Sequence, residues 1–225
     1  MGICTEKEAL SLRVFGRVAL DWKGAYPWHS EENPFWKLVA EILLVRTTRE
    51  ATKKAFSELK QRFPSVEALA SAKREDVEAV VAEVGLKARG RALIDAARLF
   101  SEGPPAAEEV SRLPYVGPYV FSAYKLYALS QAAFPLDSTV ARVAYRFLKG
   151  EEPPKGRSRN RKGGEPYKDA FLTRLARKLE EKLNVEELKD IHQGVLYVGW
   201  KWCRGLPKCE HCPVKKVCAF KGLNV

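Results

Sequence analysis

At 225 residues the chain can bury a core of its own, as one domain or as two small helical lobes. No apolar run approaches the roughly 20 residues of a membrane span, and Met1-Gly2-Ile3-Cys4-Thr5-Glu6-Lys7 lacks a signal-peptide core, so a cytoplasmic location is expected. Lys and Arg number 39 against 28 Asp and Glu, a net charge of +11, which points to a polyanionic partner, most simply nucleic acid; a basic but solvated surface is the alternative. Sparse Asn, Gln and Met beside abundant Lys, Arg and Glu lean toward a thermophilic source.

In chain order, Thr5 followed by Glu8 has capping-box spacing and predicts a helix over residues 6–20. Tyr26-Pro27-Trp28-His29 reads as an aromatic loop. Asn33-Pro34 then caps a helix over 35–46, apolar nearly all round and so expected at the centre of the fold. Glu41 is its exception. A charge in such a run is either paired, with Lys37 one turn earlier, or held there for chemistry, and the residues alone favour the pair. Amphipathic helices follow over 49–62, 74–84 and 88–100, with Gly85 ending the second and Leu86 in the connecting turn. Pro104-Pro105 marks a break.

Residues 113–146 read LPYVGPYVFSAYKLYALSQAAFPLDSTVARVAYR. Gly117 closes a tight Pro/Gly turn where backbone N–H groups can approach a ligand, and phosphate is the usual target at a helix N-terminus. A plain helix–turn–helix connection is the alternative. Asp137, with Ser138 and Thr139, stands where the next helix should be capped. Residues 151–164 look like a basic loop, useful for phosphate contacts or merely a solvated insertion. Helices resume over 167–183 and 186–198. No segment alternates with period two and no repeat has solenoid spacing, so the chain reads as all-α.

Four of the five cysteines, Cys203, Cys209, Cys212 and Cys218, crowd into one C-terminal stretch. Clustered thiols in an intracellular protein suggest a metal site rather than disulfides. One C-x-x-C between two outlying cysteines suits a single four-thiolate site, for zinc or for an iron–sulfur cluster. Cys4 stands apart as a packing residue, and His211 reads as a surface residue rather than a fifth ligand.

Together, LPYVGPY, LDSTVARVAYR and the cysteine tail resemble the helix-hairpin-helix DNA glycosylases, the superfamily of endonuclease III and the adenine-mismatch glycosylases. Within it, AEILLVRTT at residues 40–48 and Tyr119 are most similar to the archaeal thymine/uracil glycosylases acting on T·G and U·G mismatches. One departure is that Cys203 and Cys209 enclose five residues where the family usually has six. The resemblance implies two helical lobes with a DNA-binding cleft between them. A six-helix barrel with the hairpin would span residues 27–133. Residues 1–26 and 134–225 would form the other lobe, carrying the cluster loop at 203–218. A [4Fe–4S] cluster then replaces zinc as the favoured occupant of the cysteines, and a monovalent cation can accompany the hairpin.

The resemblance also implies roles. Asp137 would stabilise positive charge on the sugar, and Glu41 would assist the leaving base, which reverses the preference for a Lys37 pair. Tyr119 stands where bifunctional members carry a nucleophilic lysine, which implies a monofunctional enzyme without strand cleavage. Arg46 resembles the wedge that fills the hole left by the flipped base, and Leu86 the second wedge; either could instead be an ordinary surface Arg or core Leu. Amides of Val116, Gly117 and Tyr119, with Lys125, Arg142 and Arg146, would contact phosphates. The expected partner is double-stranded DNA with a mismatched or damaged base, met by a monomer at the nucleoid. An adenine glycosylase acting opposite guanine or 8-oxoguanine is the enzymatic alternative; such enzymes usually append a further C-terminal domain, whereas this chain stops at Val225. A DNA-binding module is the non-enzymatic one.

Overall fold

A computed structural model of the chain describes residues 5–19, 24, 26–154 and 169–222. Its described residues hold twelve α-helices and no strand, the all-α class expected. The chain divides into two compact units, Gly24–Gln131, and Met1–Lys23 with Ala132–Val225.

The first unit is built around α3 (Pro34–Leu44), whose residues from Phe35 to Leu43 are buried except Lys37. Asn33 starts it by accepting a hydrogen bond from Phe35 N–H, and Pro34 occupies the first turn, where a missing N–H costs nothing. Around α3 pack α4 (Arg49–Arg62), α7 (Gly90–Ser101) and α9 (Pro118–Tyr127), while α5 (Val66–Ala70) and α6 (Arg74–Ala82) lie on α7. The four-residue α8 (Ala107–Val110) leads into the hairpin. With only five and four residues, α5 and α8 are too short to show a helical period, and the sequence reading does not find them.

Three helices of this unit differ from expectation at their ends. The apolar helix stops at Leu44 rather than Arg46: Val45 turns out of the helix and Arg46 adopts a left-handed φ of 55°. The helix expected over 74–84 ends at Ala82, before Gly85 turns the chain with φ 76°. The helix expected from residue 88 is preceded by a 3-10 turn, Lys87–Arg89, and begins at Gly90. There is no room for a side chain at Gly90, because a methyl group would lie 2.5 Å from Glu78 Cγ and 3.1 Å from Glu78 Cα on α6.

The second unit holds α1 (Glu6–Leu10), α2 (Arg13–Val18), α10 (Ser138–Lys149), α11 (Ala170–Lys182), α12 (Val185–Lys201) and the cysteine loop. The expected N-terminal helix is broken: Thr5 and Glu8 form the capping box, but the Ser11 hydroxyl donates to the Glu8 carbonyl at 2.7 Å and ends α1 after five residues. Serine offers the backbone such a local partner, which competes with helix continuation. The last helix is longer than expected, from Val185 to Lys201, and begins with a second capping box between Asn184 and Glu187. Of the basic loop, residues 155–164 lie outside the described residues, as do Cys4 and the start expected at 167 for the next helix.

Glycine sets how closely α12 approaches its neighbours. A methyl group at Gly194 would overlap the Phe15 carbonyl of α2, and one at Gly199 would overlap the Thr139 side chain of α10. Backbone cannot yield as a side-chain tip can, so Gly194→Ala is expected to lower stability by about 1–3 kcal/mol. Thermal unfolding followed by circular dichroism checks this, and an unchanged midpoint would show that the crossing is looser than described.

Candidate nucleic-acid site and cysteine centre

Asp137 is the N-cap of α10. Its Oδ1 accepts a hydrogen bond from Val140 N–H at 2.7 Å, and its side chain is half-buried. The carboxylate thus meets the positive end of the α10 dipole. Capping is real here, and it leaves a negative charge fixed at a helix start.

In the first unit, Glu41 is 8% exposed, on α3 among Val39, Ala40, Ile42 and Leu43. Lys37 Nζ donates to the Tyr127 carbonyl at 2.7 Å, so its ammonium is anchored on the C-terminal end of α9. Arg46 is exposed in the left-handed turn after α3. Leu86 is 7% exposed and belongs to the core cluster of this unit, the ordinary core position rather than an exposed wedge.

The hairpin differs in detail from expectation. Its left-handed residue is Tyr115, with φ 67°, whereas Gly117 is extended and serves as the N-cap of α9. Val116 N–H, expected at a phosphate, donates to the Leu113 carbonyl at 3.2 Å and is already engaged. A methyl group at Gly117 would meet nothing within 4 Å, so the backbone there is open to approach. Pro118 and Tyr119 fill the first turn of α9, where N–H groups have no intrahelical acceptor. Tyr119 is half-buried against the core, and Lys125 is half-buried one helical face further on, its Nζ 5.8 Å from the Phe121 ring centroid.

Two arginines expected at DNA serve the protein's own backbone instead. Arg142 Nε donates to the Cys203 carbonyl at 2.7 Å and Nη2 to the Gly199 carbonyl at 3.2 Å, which caps the C-terminal end of α12. Arg146 is 2% exposed. It donates to the Arg204 carbonyl at 2.5 Å and the Gly205 carbonyl at 3.1 Å, and it pairs with Glu152 at 2.6 Å. Both wrap the start of the cysteine loop, Arg146 buried there and Arg142 half-buried.

Cys203, Cys209, Cys212 and Cys218 line one cavity, walled by apolar side chains such as Phe15, Val143, Phe147 and Val198. The five-residue spacing still closes, because Lys208 N–H reaches the Trp202 carbonyl at 2.8 Å and brings Cys209 back toward Cys203. His211 is exposed, as a surface residue should be. Burial and then the neighbouring thiols Cys203, Cys218 and Cys209 push the Cys212 thiol up to about 11, and burial likewise raises Cys218. Four thiols in an apolar pocket are a donor set that a bound cationic centre would deprotonate. Among the described residues, no group of three or more His, Cys, Asp or Glu is drawn together as a single metal ion requires.

Arg89 went unrecognised in the sequence. It is 7% exposed and donates to the carbonyls of Ile42, Leu43 and Val45, at the end of the helix that carries Glu41. Nothing near it in sequence signals a partner 44–47 residues away.

The chain is similar in sequence and fold to known proteins. The chain is 28% identical over 221 residues to a thymine-DNA glycosylase of Aeropyrum pernix, covering 93% of this chain and 95% of that one. It is 30% identical over 202 residues to a thymine/uracil-DNA glycosylase of Pyrobaculum aerophilum, covering 86% and 84%. Its fold matches the solved structure of a thermostable thymine-DNA glycosylase with a TM-score of 0.67 at 22% identity, over 96% of this chain and 98% of the other. Residues 39–169 match the family described as HhH-GPD superfamily base excision DNA repair protein, and the chain belongs to that superfamily.

Proposed function

We propose that the chain is a monofunctional mismatch DNA glycosylase that removes thymine or uracil opposite guanine. The observation that carries this reading is Asp137, a carboxylate held by Val140 N–H at the start of α10. The N-glycosidic bond lies inside the duplex, so the nucleotide must be flipped out before it can be attacked, and a mismatched pair is the cheapest to open. As the bond breaks, positive charge builds on the sugar, and a fixed carboxylate stabilises it. Water then adds hydroxide to the anomeric carbon while its proton goes to the departing base. Glu41, a carboxyl in an apolar helix, is suited to donate or relay a hydrogen bond to that base. Tyr119 stands at the head of α9, and a phenol cannot form a Schiff base with the opened sugar, so no strand cleavage follows.

Arg46, exposed at a sharp turn, is the residue we assign to the gap left by the flipped base. Gly117 and Tyr119 amides, with Lys125, would hold phosphate, with a monovalent cation at the hairpin carbonyls. The unit Gly24–Gln131 is in this reading the hairpin-bearing barrel, and the other unit the cluster lobe. Cys203, Cys209, Cys212 and Cys218 would hold a [4Fe–4S] cluster. Four thiols around one apolar cavity are a donor set that suits such a cluster. The partner would be double-stranded DNA carrying the mismatch, met by a monomer at the nucleoid in the cytoplasm.

Incubation with duplexes carrying T·G, U·G, A·G and A·8-oxoG, followed by hot alkali, tests the substrate. Breaks are expected at T and U only. Breaks confined to A would give the adenine reading, and none at all would leave a DNA-binding module. Asp137→Asn keeps an equally good cap and removes only the charge. It is expected to lower excision by at least about 10²-fold with DNA binding retained. Borohydride should trap no covalent adduct with the natural sequence; a strong adduct would refute monofunctional action.

The purified protein is expected to be brown, with visible absorption that a chelator and oxidant together bleach, and to melt at a lower temperature once bleached. A colourless protein with one zinc per chain would overturn the cluster assignment.

A further inference from the structure

The end of α3 is fastened from a distance. Arg89 Nη1 donates to the Ile42 carbonyl at 2.9 Å and the Leu43 carbonyl at 2.6 Å, while Nη2 donates to the Val45 carbonyl. These carbonyls lie at the end that a helix leaves without internal partners, and the cation faces the negative end of the α3 dipole. Burial pushes the Arg89 pKa down, yet an arginine stays charged in such a place. Tyr115 covers the guanidinium, its ring centroid 5.6 Å away, and its hydroxyl donates to the Ala88 carbonyl at 3.4 Å. Tyr115 is also the hairpin's left-handed residue. One guanidinium therefore joins the turn after α3, which presents Arg46, to the turn before α9.

We propose that Arg89 is a positioning residue: it fixes the turn between Val45 and Thr48 against the hairpin, and so sets where Arg46 and Glu41 stand. The inference rests on the glycosylase reading for the roles of Arg46 and Glu41, but the fastening of the turn does not depend on it. A flat fork can serve three carbonyls at once, whereas a lysine ammonium is a single point on a flexible stem. If the fork were lost, the left-handed turn at Arg46 would keep its sequence and lose its anchor.

Arg89→Lys and Tyr115→Leu, each in the full chain, test this. Tyr115 is 42% exposed, so its loss does not threaten the core. Amide hydrogen exchange is expected to quicken in both variants at residues 43–48, including Thr47, whose N–H reaches the Leu44 carbonyl at 3.4 Å. Unchanged exchange there in both would overturn the proposal. In single-turnover assays on a U·G duplex, Arg89→Lys should slow excision about tenfold while affinity for undamaged duplex changes less than about twofold. A double mutant with Arg46→Ala should show less than the product of the two single effects, since both act through one turn. Fully multiplicative effects would reduce Arg89 to general stability. Should the natural protein release no base from any duplex, the glycosylase reading fails, and the exchange measurement still decides the fate of the turn.

Discussion

A helix ends with backbone groups that its own ladder cannot satisfy, and several of the charged side chains of this chain sit where such groups are met. Asp137 meets the N–H groups of α10, and Arg142 meets the carbonyls that close α12. Arg89 meets those at the end of α3, and the first turn of α9 leaves N–H groups beside the hairpin. The same side chains that make the helices stop in register also place charge at their ends. The hydrogen bonds that end these helices therefore also fix where those charges stand.

The caps written in adjacent letters were legible. Thr5 with Glu8, Asn33 with Pro34, and Asp137 before its helix all act within three residues, and each stands where the spacing put it. The all-α class followed from the absence of alternation, and α3 as the central helix from its nearly unbroken apolar run. Arginine was the residue type that sequence could not read. Arg89, Arg142 and Arg146 look alike as letters, yet their hydrogen-bond partners lie up to 61 residues away, and only the folded chain brings those carbonyls within reach. The burial of Leu86 was hidden for the related reason that burial is a property of the fold and not of the turn that bears it.

The arginines also account for how the cysteine loop keeps its form. Arg146 holds the carbonyls of Arg204 and Gly205 while Glu152 balances its charge, and the Phe220 ring lies 5.0 Å from its guanidinium. A cation buried to this extent is tolerable only because every side of it is occupied. The loop is thereby shaped by its own backbone contacts as well as by whatever its thiols bind.

Gly90 adds a consequence that reaches beyond the present sequence. It follows Arg89 directly, and its lack of a side chain lets α7 settle on Glu78. Two neighbouring letters thus answer to opposite demands, one requiring the longest forked side chain and the other requiring none. A lineage that altered the glycine first would force two helices apart, and one that altered the arginine first would strand three carbonyls. Single-step drift away from this dipeptide therefore meets a barrier at either position.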